Sequence, residues 1–373
     1  MLIMVEGSLI SFGIMISYWV DFALYWAAPN DYDDPSMYTN LMTVSWRFPI
    51  AFQIILVIPT FVTIWLPESP RWLMLKDREP PAVEEHIAEI KEGLDISSRV
   101  RLRDLFRQGK SRNFQRTMLA FVIQMFQQIS GINLITYYAG TVFENSIGLT
   151  PVQSRILAAC NGTEYFLASI FAIFTIEKWG RRPLMIWTAL GMSFTMAVLC
   201  AVLSRQALGM PPGPYDPGRK TKDGPPIAAA VMLFVFNSFF AVGWLGMTWL
   251  YPAECTPLSI RAQANGLSTS SNWLFNFMVV MISPVAFATI NNYTYLIFAV
   301  INFLMVPTCW WIFPETAGRS LEEMDLIFAQ SNPWNPHDVV RKERKFPRRY
   351  DKKGNITDHH STHDVAAIED YDP

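Results

Sequence analysis

Two stripes of neutral side chains at helical spacing are the residues best placed to do chemistry. Gln124, Gln127, Gln128 and Gly131 fall at i, i+3, i+4 and i+7, one stripe of a helix. Asn265, Ser268, Thr269, Asn272 and Asn276 repeat the stripe pattern further on, and Trp249 lies between the two. An amide offers donors and acceptors together, so such stripes suit a neutral, hydroxyl-rich ligand, or hydrogen bonding between helices. Asn133 and Tyr137 sit on the opposite face of an ideal helix from the first stripe. For both sets to line one cavity the helix must unwind near Ser130-Gly131, where glycine makes a break inexpensive.

A second group is charged: Glu177, Arg181, Arg182, Glu254, Arg261, Glu315 and Arg319, with Glu68 and Arg71 upstream. These residues sit at the ends of apolar segments, where generic anchoring explains arginines but not the glutamates between them. Two further carboxylates, Glu6 and Glu164, fall inside apolar segments, where an ionisable group is a functional candidate, here a proton-linked one. The four cysteines, Cys160, Cys200, Cys255 and Cys309, lie in or beside apolar runs without metal spacing, and read as buried thiols.

The elements that position these residues are membrane helices. Of 373 residues 51% are hydrophobic and only 17% charged. An uncharged run of about 20 residues is long enough to cross a bilayer. Eight spans are expected, at about 2–26, 48–66, 116–142, 152–176, 184–204, 227–252, 264–289 and 293–313. Lys and Arg concentrate in 67–115, in the 178–182 turn, at Arg261 and in the tail, which predicts a cytoplasmic side carrying both termini. The 67–115 segment reads as a cytoplasmic linker with short helices, and 205–226 as an external loop. After about Phe328 the chain turns polar, and 314–373, with His359, His360 and His363, reads as a largely disordered tail. The net charge of −2 argues against nucleic acid as a partner. No metal cluster or nucleophile–base pair appears, so neither a cofactor nor an enzyme activity is expected.

Short motifs punctuate the spans. Pro67-Glu68-Ser69-Pro70-Arg71-Trp72-Leu73 follows the second, and Gln127-Gln128-Ile129-Ser130-Gly131-Ile132-Asn133 lies in the third. Gly180-Arg181-Arg182-Pro183 joins the fourth and fifth, and Pro314-Glu315-Thr316-Ala317-Gly318-Arg319 follows the last. In this order and spacing they resemble the sugar porter family of the major facilitator superfamily, most closely its fungal sugar transporters, over about 2–325. The resemblance implies an all-α membrane fold of two six-helix bundles. It makes 1–66 the remnant of the first bundle and 116–313 the second, matching helices five to twelve with the first four absent.

What the family implies for function is multi-pass transport at the plasma membrane of a sugar, a hexose or related monosaccharide, by alternating access, with protons as a further partner. A non-transporting sugar sensor and an inactive truncated transporter are the alternatives. By the resemblance, Gln127, Gln128, Asn133, Trp249 and Asn272 contact sugar, Tyr137 and Tyr138 help close the outer gate, and the charged group pairs across the cytoplasmic ends of the bundles. This sequence departs from the family at Gly7, Tyr165 and Ala241, where relatives carry a glutamine, an asparagine and a glutamate.

Overall fold

The computed structural model describes residues 2–25, 35–65, 101–204 and 224–346. The described residues are helices and connections, with no strand among them. In chain order they are α1 (Leu2–Tyr25), α2 (Pro35–Val62, continued by the 3-10 turn Thr63–Trp65), α3 (Asn113–Ile129) and α4 (Ile132–Thr141). Then come α5 (Pro151–Trp179), α6 (Arg181–Val202), α7 (Gly224–Phe240), α8 (Met247–Cys255), α9 (Arg261–Ile290) and α10 (Tyr293–Ile312). Two short helices close the described chain, α11 (Leu321–Gln330) and α12 (Pro336–Lys345). Seven stretches among these are long and apolar enough to cross a membrane. They match seven of the eight expected spans, and the eighth, 48–66, falls on α2 and its 3-10 turn.

The chain divides into two compact units. The larger joins Met1–Met15 to Arg101–Pro373, and the smaller is Ile16–Val100. The smaller unit carries α2, whose Trp46, Ile50, Ile54, Ile58 and Phe61 are exposed apolar side chains, as a helix face meant for lipid or protein would be. In the larger unit, the first residues of α1 pack on α5, with the Ser11 and Ser169 hydroxyls 2.9 Å apart.

Local chemistry sets the helix boundaries. Thr150 and Gln153 form a reciprocal capping box ahead of α5, with Pro151 at its first position. Ser320 and Glu323 do the same for α11, and Asn335 with Pro336 starts α12. The break expected in the third span is present. α3 ends at Ile129 and α4 starts at Ile132, with Gly131 between them at φ +98°, a backbone state glycine adopts without penalty. A Cβ there would lie 3.0 Å from the Phe298 ring. The carbonyl of Ser130, released by the break, accepts from Asn302 Nδ2 at 2.8 Å.

The tail differs from expectation. Past Phe328 the chain stays ordered through α12 to Lys345, because Val339, Val340 and Glu343 form a buried face and the basic residues turn outward. The expected linker 67–115 is described only from Arg101, where a 3-10 turn, Leu102–Phe106, precedes α3. His359, His360 and His363 lie outside the described residues.

Candidate functional site

The two polar stripes meet. α3 and α9 pack side by side, and Ser268 and Ser271 of α9 donate to the Ala120 and Phe121 carbonyls of α3 at 2.7 and 3.1 Å. This register sets Asn272 against the glutamines. Asn272 Nδ2 donates to Gln124 Oε1 at 2.5 Å and to Gln127 Oε1 at 2.7 Å, and its Oδ1 accepts from Gln128 Nε2 at 2.9 Å. Gln128 Oε1 accepts in turn from Asn133, beyond the helix break, and from Asn276 at 3.2 Å. The break therefore brings Asn133 onto the same side as the stripe. Gln124, Gln127, Gln128, Asn133 and Asn272 are all buried.

The far side of the cluster is backbone, and the sequence of the sixth span explains why it is available. Pro252 has no N–H, so the Thr248 carbonyl four residues earlier lacks its helical donor. Gln124 Nε2 fills the vacancy at 3.0 Å. A π turn over Ala241–Leu245 shifts the ladder, so that the Trp249 N–H bonds the Gly246 carbonyl. The Trp244 and Leu245 carbonyls then accept from Gln127 Nε2 at 3.3 and 3.2 Å. The same device recurs in α9, where Pro284 leaves the Val280 carbonyl to the Tyr138 hydroxyl at 3.2 Å.

The remaining residues separate. Tyr138 ties α4 to α9, while Tyr137 beside it is 56% exposed. Trp249 is half-buried. Trp244, which the sequence did not single out, is fully buried against the Phe126 ring, and its indole N–H is buried without a partner. Its signal was its place inside the π turn, invisible in residue spacing. Glu6 is exposed on α1. Glu164 is half-buried on α5, where one carboxylate oxygen accepts from Ser238 and the other is buried without a partner. Beside it Asn237 donates to Asn161 at 2.7 Å.

The charged residues assemble around α6. Arg181 forks onto Glu177 (3.0 and 3.1 Å) and Glu254 (2.8 and 3.2 Å), and Thr316 Oγ1 donates to Glu254 at 2.5 Å. Glu315 has a different set of partners. Its oxygens accept the backbone N–H groups of Arg181 (2.9 Å), Arg182 (3.1 Å), Thr316 (3.0 Å) and Ala317 (2.9 Å). The first two are the unpaired N–H groups that begin α6, where a carboxylate is favoured. Gly180, at φ +87°, leaves room for it, since a Cβ there would stand 2.6 Å from a Glu315 oxygen. Arg261 bonds the Thr256 carbonyl at 3.0 Å, and Arg319 turns away to Glu343 of α12 at 3.1 Å. Glu68 and Arg71 lie outside the described residues.

A helical bundle of membrane length, with a buried neutral cluster at helix breaks and a carboxylate–arginine cluster at helix ends, has the major facilitator fold. The chain belongs to the family described as "Sugar (and other) transporter", whose profile matches residues 1–328. It is 38% identical to the sugar transporter STL1 of Saccharomyces cerevisiae over 90% of this chain and 58% of that protein. It is 30% identical to the MFS-type transporter oryC of Aspergillus oryzae, over 94% of this chain and 65% of that protein. Among solved structures it resembles the proton:xylose symporter XylE bound to 6-bromo-6-deoxy-D-glucose, with a TM-score of 0.64 and 26% identity, over 87% of this chain and 68% of that one. The chain thus spans less than two thirds of the length of these two fungal relatives. It is a multi-pass membrane protein.

Proposed function

We propose that this protein carries a sugar, a hexose or related monosaccharide, across the plasma membrane by alternating access. The amide cluster forms the part of the binding site that lies in the larger unit. The observation that carries this reading is how the cluster is satisfied. Gln124, Gln127, Gln128, Asn133, Asn272 and Asn276 bond mostly to one another, with amides serving as both donors and acceptors. A sugar hydroxyl also donates and accepts, so it can replace one amide partner at a time without leaving a buried group unpaired. Likeness to a yeast sugar transporter and to a xylose symporter supports the same substrate class.

In this reading 116–313 is a six-helix bundle, 1–66 belongs to the N-terminal bundle, 67–115 is a linker, and 314–373 is a cytoplasmic tail. The Arg181–Glu254–Glu177 group with Glu315 makes contacts in one state that open in the other. Tyr137 and Tyr138 belong to the outer gate. Proton coupling fits the relationship to a proton symporter, with Glu6 and Glu164 as the candidate carboxyls; Glu164 accepts a hydrogen bond from Ser238.

The test is uptake of labelled glucose and xylose in a yeast strain lacking its own sugar carriers, comparing the wild-type protein with Gln128→Ala at matched membrane abundance. Losing one neutral hydrogen bond costs about 0.5–1.5 kcal/mol, or roughly 2- to 13-fold in apparent affinity. Unaltered uptake by Gln128→Ala would remove the amide cluster from the binding site. Absence of saturable uptake of either sugar by the wild type would remove the substrate class.

A further inference from the structure

The last described helix, α12, divides its surface by charge. Val339, Val340 and Glu343 are buried against the rest of the unit, and Glu343 is held by Arg319. The opposite face is basic. Arg341 and Arg344 fall four and seven residues after His337, on one helical stripe with Lys345 at its edge, and all three basic residues are exposed. Lys342 lies off that stripe and turns back onto the Gln330 carbonyl and Asp338.

His337 fixes where the stripe begins. Its ring stacks on both indoles at the end of α10, with ring centres 4.5 Å from Trp311 and 5.6 Å from Trp310. Its Nδ1 donates to the Trp311 carbonyl at 3.0 Å. α10 is long and apolar enough to cross a membrane. Trp310 and Trp311, 46% and 50% exposed in its last turn, stand where such a helix meets the headgroups. The stripe therefore starts at the membrane surface. Along the helix axis Arg341 is about 6 Å and Arg344 about 10 Å from His337, so axial rise takes neither farther from that level, whatever the tilt of α12. The Debye length is about 8–10 Å at such salt as cells contain, so headgroup charge acts on both.

The turn before the helix repeats the signal. Trp334 is 91% exposed, yet its turn is fixed: its N–H bonds Asn332 Oδ1 at 3.0 Å, and the Asn332 N–H bonds Asp338 at 2.8 Å. An indole held that far out of the protein, three residues before His337, suits the same interface.

We propose that Arg341, Arg344 and Lys345 form a docking surface for anionic lipid headgroups of the leaflet that Trp310 and Trp311 reach. Charge selects this occupant, because an anionic leaflet attracts each Lys or Arg near it. Binding holds α12 in place, and with it the Glu343 carboxylate on Arg319. The surface needs no sugar, so its test is separate from the transport reading.

The experiment is hydrogen exchange of the α12 amides in the purified full chain. The nanodiscs contain phosphatidylcholine alone, or phosphatidylcholine and phosphatidylserine in equal amounts. Phosphatidylserine should slow exchange by about fivefold for each basic residue engaged, and high salt should remove the slowing. The double variant Arg341→Gln, Arg344→Gln should match wild type in phosphatidylcholine and lose most of the slowing. The double variant Arg341→Lys, Arg344→Lys should keep most of it, because charge is what the surface uses. Lys110→Gln removes an exposed charge outside α12 and should leave the slowing whole. If the glutamine pair does not fold, the wild-type lipid and salt arms decide alone. The proposal is overturned if phosphatidylserine leaves wild-type exchange in α12 unaltered, if the slowing survives high salt, if the glutamine pair retains it or the lysine pair loses it, or if Lys110→Gln loses as much of it as the glutamine pair.

Discussion

The amide cluster and the Glu315 cluster are both buried polar groups in the same unit, yet they are built on opposite plans. The amide cluster joins mostly side chain to side chain, with backbone carbonyls only at its far side: Asn272 bonds three glutamines, and Gln128 bonds three asparagines. The Glu315 cluster joins one side chain to backbone, using N–H groups fixed by the start of α6 and the turn after α10. Side-chain partners can rotate away when a ligand arrives, whereas backbone partners move only if a helix moves. The first plan suits exchange of hydrogen bonds with a neutral ligand. The second suits a joint that is either made or broken as a unit.

The largest expected effect tests the second plan. Glu315→Ala strands backbone N–H groups and removes a buried charge facing Arg181 and Arg182. A loss of about 3–5 kcal/mol in unfolding free energy is expected, read by denaturant titration in detergent. If Asn272→Ala proves the more destabilising of the two, the contrast between the clusters collapses.

Asn272→Ala comes next. It unpairs Gln124, Gln127 and Gln128, but flexible amides re-pair among themselves, so about 1–3 kcal/mol is expected. Its signature is that sugar affinity falls along with stability. A stability loss with sugar affinity intact would make the cluster a helix–helix glue and nothing more.

The smallest effect sharpens the contrast inside the charged cluster itself. Glu177 pairs with Arg181 but is 58% exposed, while Glu254, on the other side of the same guanidinium, is 22% exposed. Glu177→Gln should cost less than about 1 kcal/mol, a loss that shrinks further in high salt. Thermal midpoints at low and high salt check this. A cost for Glu177→Gln equal to that for Glu254→Gln would mean that burial does not rank the two pairs.

Sequence alone was sufficient for everything that depends on local periodicity. Runs of apolar residues fixed the spans, because the thickness of hydrocarbon dictates their length. The i, i+3, i+4 spacing put Gln124, Gln127 and Gln128 on one stripe, and Ser130-Gly131 marked the break that the structure contains. Motif order was enough to indicate the family, which the profile match then established.

Pairing between distant segments was decided by tertiary structure. Gln124 and Asn272 are 148 residues apart, and nothing in either stripe states that Asn272 would face three glutamines at once. Pro252 and Pro284 each release a carbonyl because proline has no N–H, and which side chain takes that carbonyl depends on the neighbouring helix. Arg319 and Arg181 look alike in sequence, yet one faces Glu343 of α12 and the other Glu177 and Glu254. The tail past Phe328 read as disordered because its composition is polar. Its segment Pro336–Lys345 is helical because docking buries Val339, Val340 and Glu343, a gain that exists only once the rest of the unit has folded. Composition reports what a segment can bury by itself, and hydrogen-bond partners are assigned only when helices far apart in the chain lie side by side.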